Sequence, residues 1–326
     1  MKGLELSKKY YEQVGLPMLK EQFGEYVNRI AVGLVGEGSE CLGFDDEISQ
    51  DHDFGPSFCM WLNKSDYEKI GSKLANAYSN LPGEFEGFKA RNTTAQAGQR
   101  VGVFEIHDFY RMFVGDNQPP KSNVAWMQLP EDKIITVTNG EVFADELGEF
   151  SKIRDALKGY YPEPVRVKKI AARVAIMAQS GQYNYARCMR RGDCVAATLA
   201  LDEFLKATIS VVYLLNKTYM PYYKWSFRGM KGFTVLPEVS SMIAELTLAG
   251  DTSNAWREPH GANWNPYVNL DDKRVVLIED ICGKVAAELR KQGLTSLNDD
   301  FLEPYAWDIM ASIDDPELKS MHVMEG

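Results

Sequence analysis

The chain has 326 residues, 45 % of them hydrophobic, enough for one large domain or two ordinary ones with buried cores. Its 46 acidic side chains outnumber 36 basic ones, and a net charge of −10 argues against a general affinity for nucleic acid or anionic membrane. Five cysteines without CxxC spacing argue against a zinc site and fit reduced thiols. With no signal-peptide core and no apolar run near the ~20 residues of a membrane span, a soluble cytoplasmic protein is expected.

In chain order, "LSKKYYEQVGLPMLKEQFGEYVNR" has helical spacing interrupted by Gly15 and Pro17. "IAVGLVG" is a short apolar run that predicts a buried strand, and "DFGPSFCMWL" predicts a second. "KSDYEKIGSKLANAYSNL" predicts a helix with Ser65 as its N-cap. "QRVGVFEIHDFYRMFVG" begins as a third strand. These elements predict an α/β-rich opening domain. From "PVRVKKIAARVAIMAQS" onward four amphipathic segments predict a helical bundle, with Ala197, Leu201, Phe204 and Val212 on one face of the second. The expected class is α+β, with residues 1–125 as the first domain and 126–326 as a connecting segment and helical domain.

Between the first two strands stands "GEGSECLGFDDEISQDHDFG". Carboxylates this crowded repel one another, so the crowding calls for a cation. Asp51 and Asp53 are two apart, which in extended chain points both the same way. A hard divalent ion, Mg2+ or Mn2+, suits such an oxygen pair. Gly36, Gly38 and Ser39 upstream let backbone amides approach an anion such as phosphate. Asp45, Asp46 and Glu47 read better as a polar loop than as a shell around the metal. Glu105, flanked by Phe104 and Ile106, is the candidate third acid, as metal ligand or base, with His107 and Asp108 competing for the base role.

The order Gly38-Ser39, eleven residues, Asp51-x-Asp53 and a later strand acid resembles the nucleotidyltransferase signature of the DNA polymerase β superfamily. His52 departs from the apolar residue common between the two acids. The blocks "GEGSECLGFDDEISQDHDFGP", "LNKTYMPYYKWSFRGM" and "FLEPYAWDIMASIDDPELKSMHVMEG" are similar to the DUF4037 family of nucleotidyltransferase-like proteins, which also has that histidine. The resemblance implies a catalytic nucleotidyltransferase domain followed by a helical domain. It names no substrate.

"YMPYYKWSFRGMKG" gathers aromatic and basic residues after Pro221, which reads as a helix opener. Lys224, with Arg228 one turn along, is the candidate for contacts to a nucleotide's phosphates, against a bland alternative of helix-junction packing. Arg187, Arg190 and Arg191 read as an exposed helix end. The expected activity is transfer of NMP from an NTP to an acceptor hydroxyl. A small hydroxylated molecule is the favoured acceptor, and a protein or RNA is the alternative. A nucleotide-binding regulator without turnover is the competing class.

Overall fold

The computed structural model describes residues 1–50, 54–91, 99–257, 265 and 268–326. It divides into two compact units, Met1–Lys121 with Leu129–Tyr160, and Ser122–Gln128 with Tyr161–Gly326. The first combines helices with a mixed sheet and the second is helical, which is the α+β class expected.

In the first unit α1 (Gly3–Tyr10) runs through a π-helical turn (Tyr11–Gly15) into α2 (Leu16–Gln22). Gly15 lets this helix lie on the sheet, since a Cβ there would be 2.5 Å from the Phe58 ring. Then follow β1 (Ala31–Leu34), β2 (Cys59–Leu62) and α3 (Lys64–Ser79). A small ribbon, β3 (Glu84–Phe85) and β4 (Phe88–Lys89), precedes β5 (Gly102–Glu105) and α4 (Ile106–Val114). After α5 (Asn123–Met127), which belongs to the second unit, come α6 (Glu131–Thr138), β6 (Glu141–Ala144) and α7 (Glu149–Lys158).

The sheet order is β5-β2-β1-β6, with β1 antiparallel to β2 and β6 and with β2 parallel to β5. Burial on both faces explains why β1, β2 and most of β5 read as apolar runs. Met60 and Leu62 pack with Tyr10, Leu19 and Leu74 on one face. Trp61 turns to the other, stacked on Phe150 at 4.0 Å and edge-on to Phe109 at 5.4 Å. The N-cap of α3 is Asn63, whose Oδ1 accepts from the Asp66 amide at 3.0 Å. Ser65, the expected cap, instead donates to that same Oδ1 at 2.9 Å.

The second unit holds α8 (Glu163–Met177), a π-helical segment (Ala178–Tyr185), α9 (Ala186–Arg190) and α10 (Cys194–Leu215). Beyond them lie α11 (Tyr223–Met230), α12 (Val239–Leu248), α13 (Lys273–Lys291), α14 (Glu303–Ala311) and α15 (Pro316–Ser320). Helix α8 packs against α10 and α14. The predicted face of α10 is buried at Ala197, Leu201, Phe204 and Val212. Gly181 makes room for Phe204, whose ring would lie 2.3 Å from a Cβ at that position. Lys168 is fully buried on α8 and donates to the carbonyls of His322 (3.0 Å), Val323 (3.4 Å) and Glu325, fastening the C-terminal tail. Among the described residues no helix is long and apolar enough to cross a membrane.

Candidate functional site

Beyond Leu34 the chain leaves the sheet through Gly36–Ser39. Gly36 (φ 138°) and Gly38 (φ 132°) adopt backbone conformations that strain any L side chain. A Cβ on Gly38 would also stand 2.6 Å from Glu40 Oε2. The turn is clasped from behind. The Gly36 amide donates to Asn139 Oδ1 at 3.1 Å, and Asn139 Nδ2 donates back to the Gly36 carbonyl at 2.8 Å. The Gly140 amide donates to the Cys41 carbonyl at 2.8 Å. Buried Arg154 donates to the carbonyls of Asn139 and Gly140. The end of α6 therefore fixes the shape of the glycine turn.

Below the turn Glu40 and Arg91 form a buried ion pair, with each side chain 4 % exposed. Phe54 meets Phe88 edge-on at 5.6 Å, and Gly55 lies so close to the chain at Lys89 that a Cβ would be 2.3 Å from its carbonyl oxygen. A Cβ on Gly3 would touch both the Glu40 side chain (2.6 Å) and the Phe54 ring (3.0 Å). The segment entering β2 thus runs past the Glu40–Arg91 pair, at the glycine-turn end of the sheet. Asp51 and Asp53, with His52 between them, lie outside the described residues. Among the described residues no group of three His, Cys, Asp or Glu is arranged to hold a metal ion.

The neighbouring acids take structural parts. Asp45 is buried, accepts from the Gly3 amide at 2.9 Å and lies 3.4 Å from Lys2 Nζ. Asp46 closes a turn with Ser49, accepting its amide at 3.1 Å and donating to its Oγ at 2.7 Å. Burial pushes the Cys59 thiol up to about 12 and raises Cys41 as well. Both keep their protons at neutral pH in the metal-free protein. All five cysteines are free, with Cys194 exposed, Cys188 half-buried and Cys41, Cys59 and Cys282 buried. An alkylating reagent should therefore label native protein first at Cys194 and then at Cys188. Peptide mapping that finds Cys59 labelled before unfolding contradicts this burial.

Glu105 stands at the other end. It is the last residue of β5, paired with Leu62, whereas Gly102 and Gly33 both pair with Cys59. Three strand residues at ~3.3 Å each put Glu105 about 10 Å along the sheet from that row, on the side away from the glycine turn. Its Oε2 accepts from the Asp108 amide at 2.8 Å and caps α4, while Oε1 lies 3.2 Å from His107 Nδ1. Asp108 is exposed and pairs with Arg111 at 2.6 Å. The structure does not bring Glu105 and Gly38 together. Glutamate is not among the residues that commonly cap helices, so nothing in the sequence signalled this role clearly.

Lys224 and Arg228 lie on α11 in the second unit, at 5.2 and 5.7 Å from the Trp225 ring centre. Arg187 stacks on Tyr183 at 4.6 Å. Sequence reasoning missed a charge cluster beside the glycine turn. Glu37 Oε1 is 3.5 Å from Lys133 Nζ, and its Oε2 is 3.6 Å from Arg100 Nε. These residues are far apart in sequence and carry no local signal.

The model of a family described as a domain of unknown function, DUF4037, matches residues 126–226, from α5 into α11. No curated protein matches the chain. Among solved structures, a nucleotidyltransferase-like protein from Exiguobacterium sibiricum 255-15 is similar with a TM-score of 0.38 and 10 % identity, over 93 % of this chain and 81 % of that chain. Across residues 126–226 the chain is similar to the DUF4037 family, the family that its sequence blocks resemble.

Proposed function

We propose that the first unit is the catalytic domain of a nucleotidyltransferase. The observation that carries this reading is the positive-φ glycine turn at the end of β1, held at the sheet end where the chain resumes at Phe54, directly after Asp53. A turn of this kind presents amides to phosphate, and the adjoining carboxylates suit a divalent ion. Asp51 and Asp53 would hold that ion, which would supply positive charge against the phosphate oxygens. The glycine turn would orient the triphosphate. An acceptor hydroxyl would attack the α-phosphorus and lose its proton to solvent, the bond to the β-phosphate's bridging oxygen would break, and pyrophosphate would leave. A small hydroxylated acceptor remains the favoured substrate class.

One observation favours a second reading, a nucleotide-binding regulator without turnover. Among the described residues, the acids at this end, Glu37, Glu40 and Asp45, all face cations of the protein itself. A thermal-shift titration with ATP, with and without magnesium, tests binding. A Mg-dependent rise in Tm that Asp51→Asn and Asp53→Asn abolish supports the nucleotide site, and its persistence in both variants refutes the pair. Lys224→Ala in the same titration tests the expectation for α11. Pyrophosphate release in the presence of a cell extract then separates enzyme from regulator.

A further inference from the structure

Glu37 stands between the two positive-φ glycines of the turn, and its carboxylate presents one oxygen to each of two cations. Lys133 arrives from α6 and Arg100 from the segment before β5. Cys59 Sγ lies 3.5 Å from the Arg100 carbonyl and 3.9 Å from that of Val35, which fixes Arg100 to the row from which the glycine turn departs. The contacts of 3.5 and 3.6 Å are longer than the 2.7–2.9 Å of a charge-assisted hydrogen bond. Glu37 is 40 % exposed, Lys133 39 % and Arg100 25 %. The carboxylate therefore holds its partners by loose attraction at a place open to solvent, worth little to stability.

We propose that Glu37 is an internal stand-in for phosphate, and that Arg100 and Lys133 are the cations that receive a nucleotide's triphosphate when it displaces Glu37. The inference rests on the nucleotide reading above and adds to it a selectivity device. A polyphosphate carries more charge over more oxygens than a monophosphate, so it competes better with Glu37 for Arg100 and Lys133, the latter also 4.0 Å from Asp132 Oδ2. On displacement the glutamate swings into water, which its exposure permits. The Gly36 amide is taken by Asn139 Oδ1, so the remaining amides of the turn are the ones that would meet the same anion.

Calorimetric titration with Mg–ATP, AMP and inorganic tripolyphosphate tests this on the full chain. Lys133→Ala and Arg100→Ala should each weaken Mg–ATP and tripolyphosphate about tenfold or more, the effect of losing one charge-assisted contact. Glu37→Gln should tighten both several-fold and raise the relative affinity for AMP. All three side chains are partly exposed, so the variants should keep the parent's circular dichroism. If the parent binds Mg–ATP in an Asp51-dependent way while Lys133→Ala and Glu37→Gln change nothing, the stand-in is wrong and the nucleotide site survives. If Lys133→Ala weakens tripolyphosphate while Asp51→Asn changes no affinity, the stand-in holds and the metal-dependent reading falls. A parent that binds neither compound overturns both.

Discussion

Replacing Glu40 with alanine is expected to destabilise the first unit by about 3–5 kcal/mol, the cost of stranding one partner of a buried ion pair. The Arg91 guanidinium would keep its charge inside a site where its side chain is only 4 % exposed. Urea unfolding should show a lower midpoint at an unchanged slope. Glu40→Gln keeps an acceptor and should lose less. Replacing both residues with apolar ones of similar size should recover most of the loss, since the pair's attraction and its desolvation nearly cancel. A loss below ~1 kcal/mol for Glu40→Ala would place Arg91 in contact with water. The functional stake is the path of the chain at Phe54, which runs past this pair.

Gly140→Ala should cost about 2–5 kcal/mol, the sum of left-handed backbone strain and overpacking. Gly140 has φ 62°, and a Cβ there would lie 1.9 Å from the carbonyl oxygen of Leu34. No rotamer relieves a clash with backbone. Gly148 is the control: its φ is 69°, yet nothing lies within 4 Å of a Cβ there. Gly148→Ala should show only the conformational part, about 1–2 kcal/mol. Equal losses at the two glycines would mean that Gly140 has room after all. Because Asn139 clasps Gly36, the Gly140 variant should also weaken Mg–ATP binding where the Gly148 variant does not.

Strands β1, β2 and β5 were legible because burial on both faces writes itself as an apolar run. Helices α8 and α10 were legible from their spacing. Strand β6 was not: "EVFA" is short, only half-buried and sits at the sheet edge, so its sequence looks like the turn-rich stretch around it. The glycines at 36 and 38 announced a special backbone, and both have positive φ. Glu105 reads in the sequence as a third acid, and what the sequence did not carry is its place in the fold, on the row of Leu62 with Oε2 capping α4. The Glu37 cluster was invisible because Arg100 and Lys133 reach it only through the fold.

The two units are interleaved along the chain, and this sets an order for its synthesis. The ribosome releases residues 1–125 before β6 exists. Until then β1, apolar and without a charged residue in its span, is a bare sheet edge, the kind of surface that recruits other nascent strands. Only when residues 141–144 emerge is that edge covered, and by then residues 123–127 of the second unit have already left the tunnel. A fragment cut at residue 125 would freeze the chain at its most exposed moment, whereas one extended to residue 160 would carry its own cover.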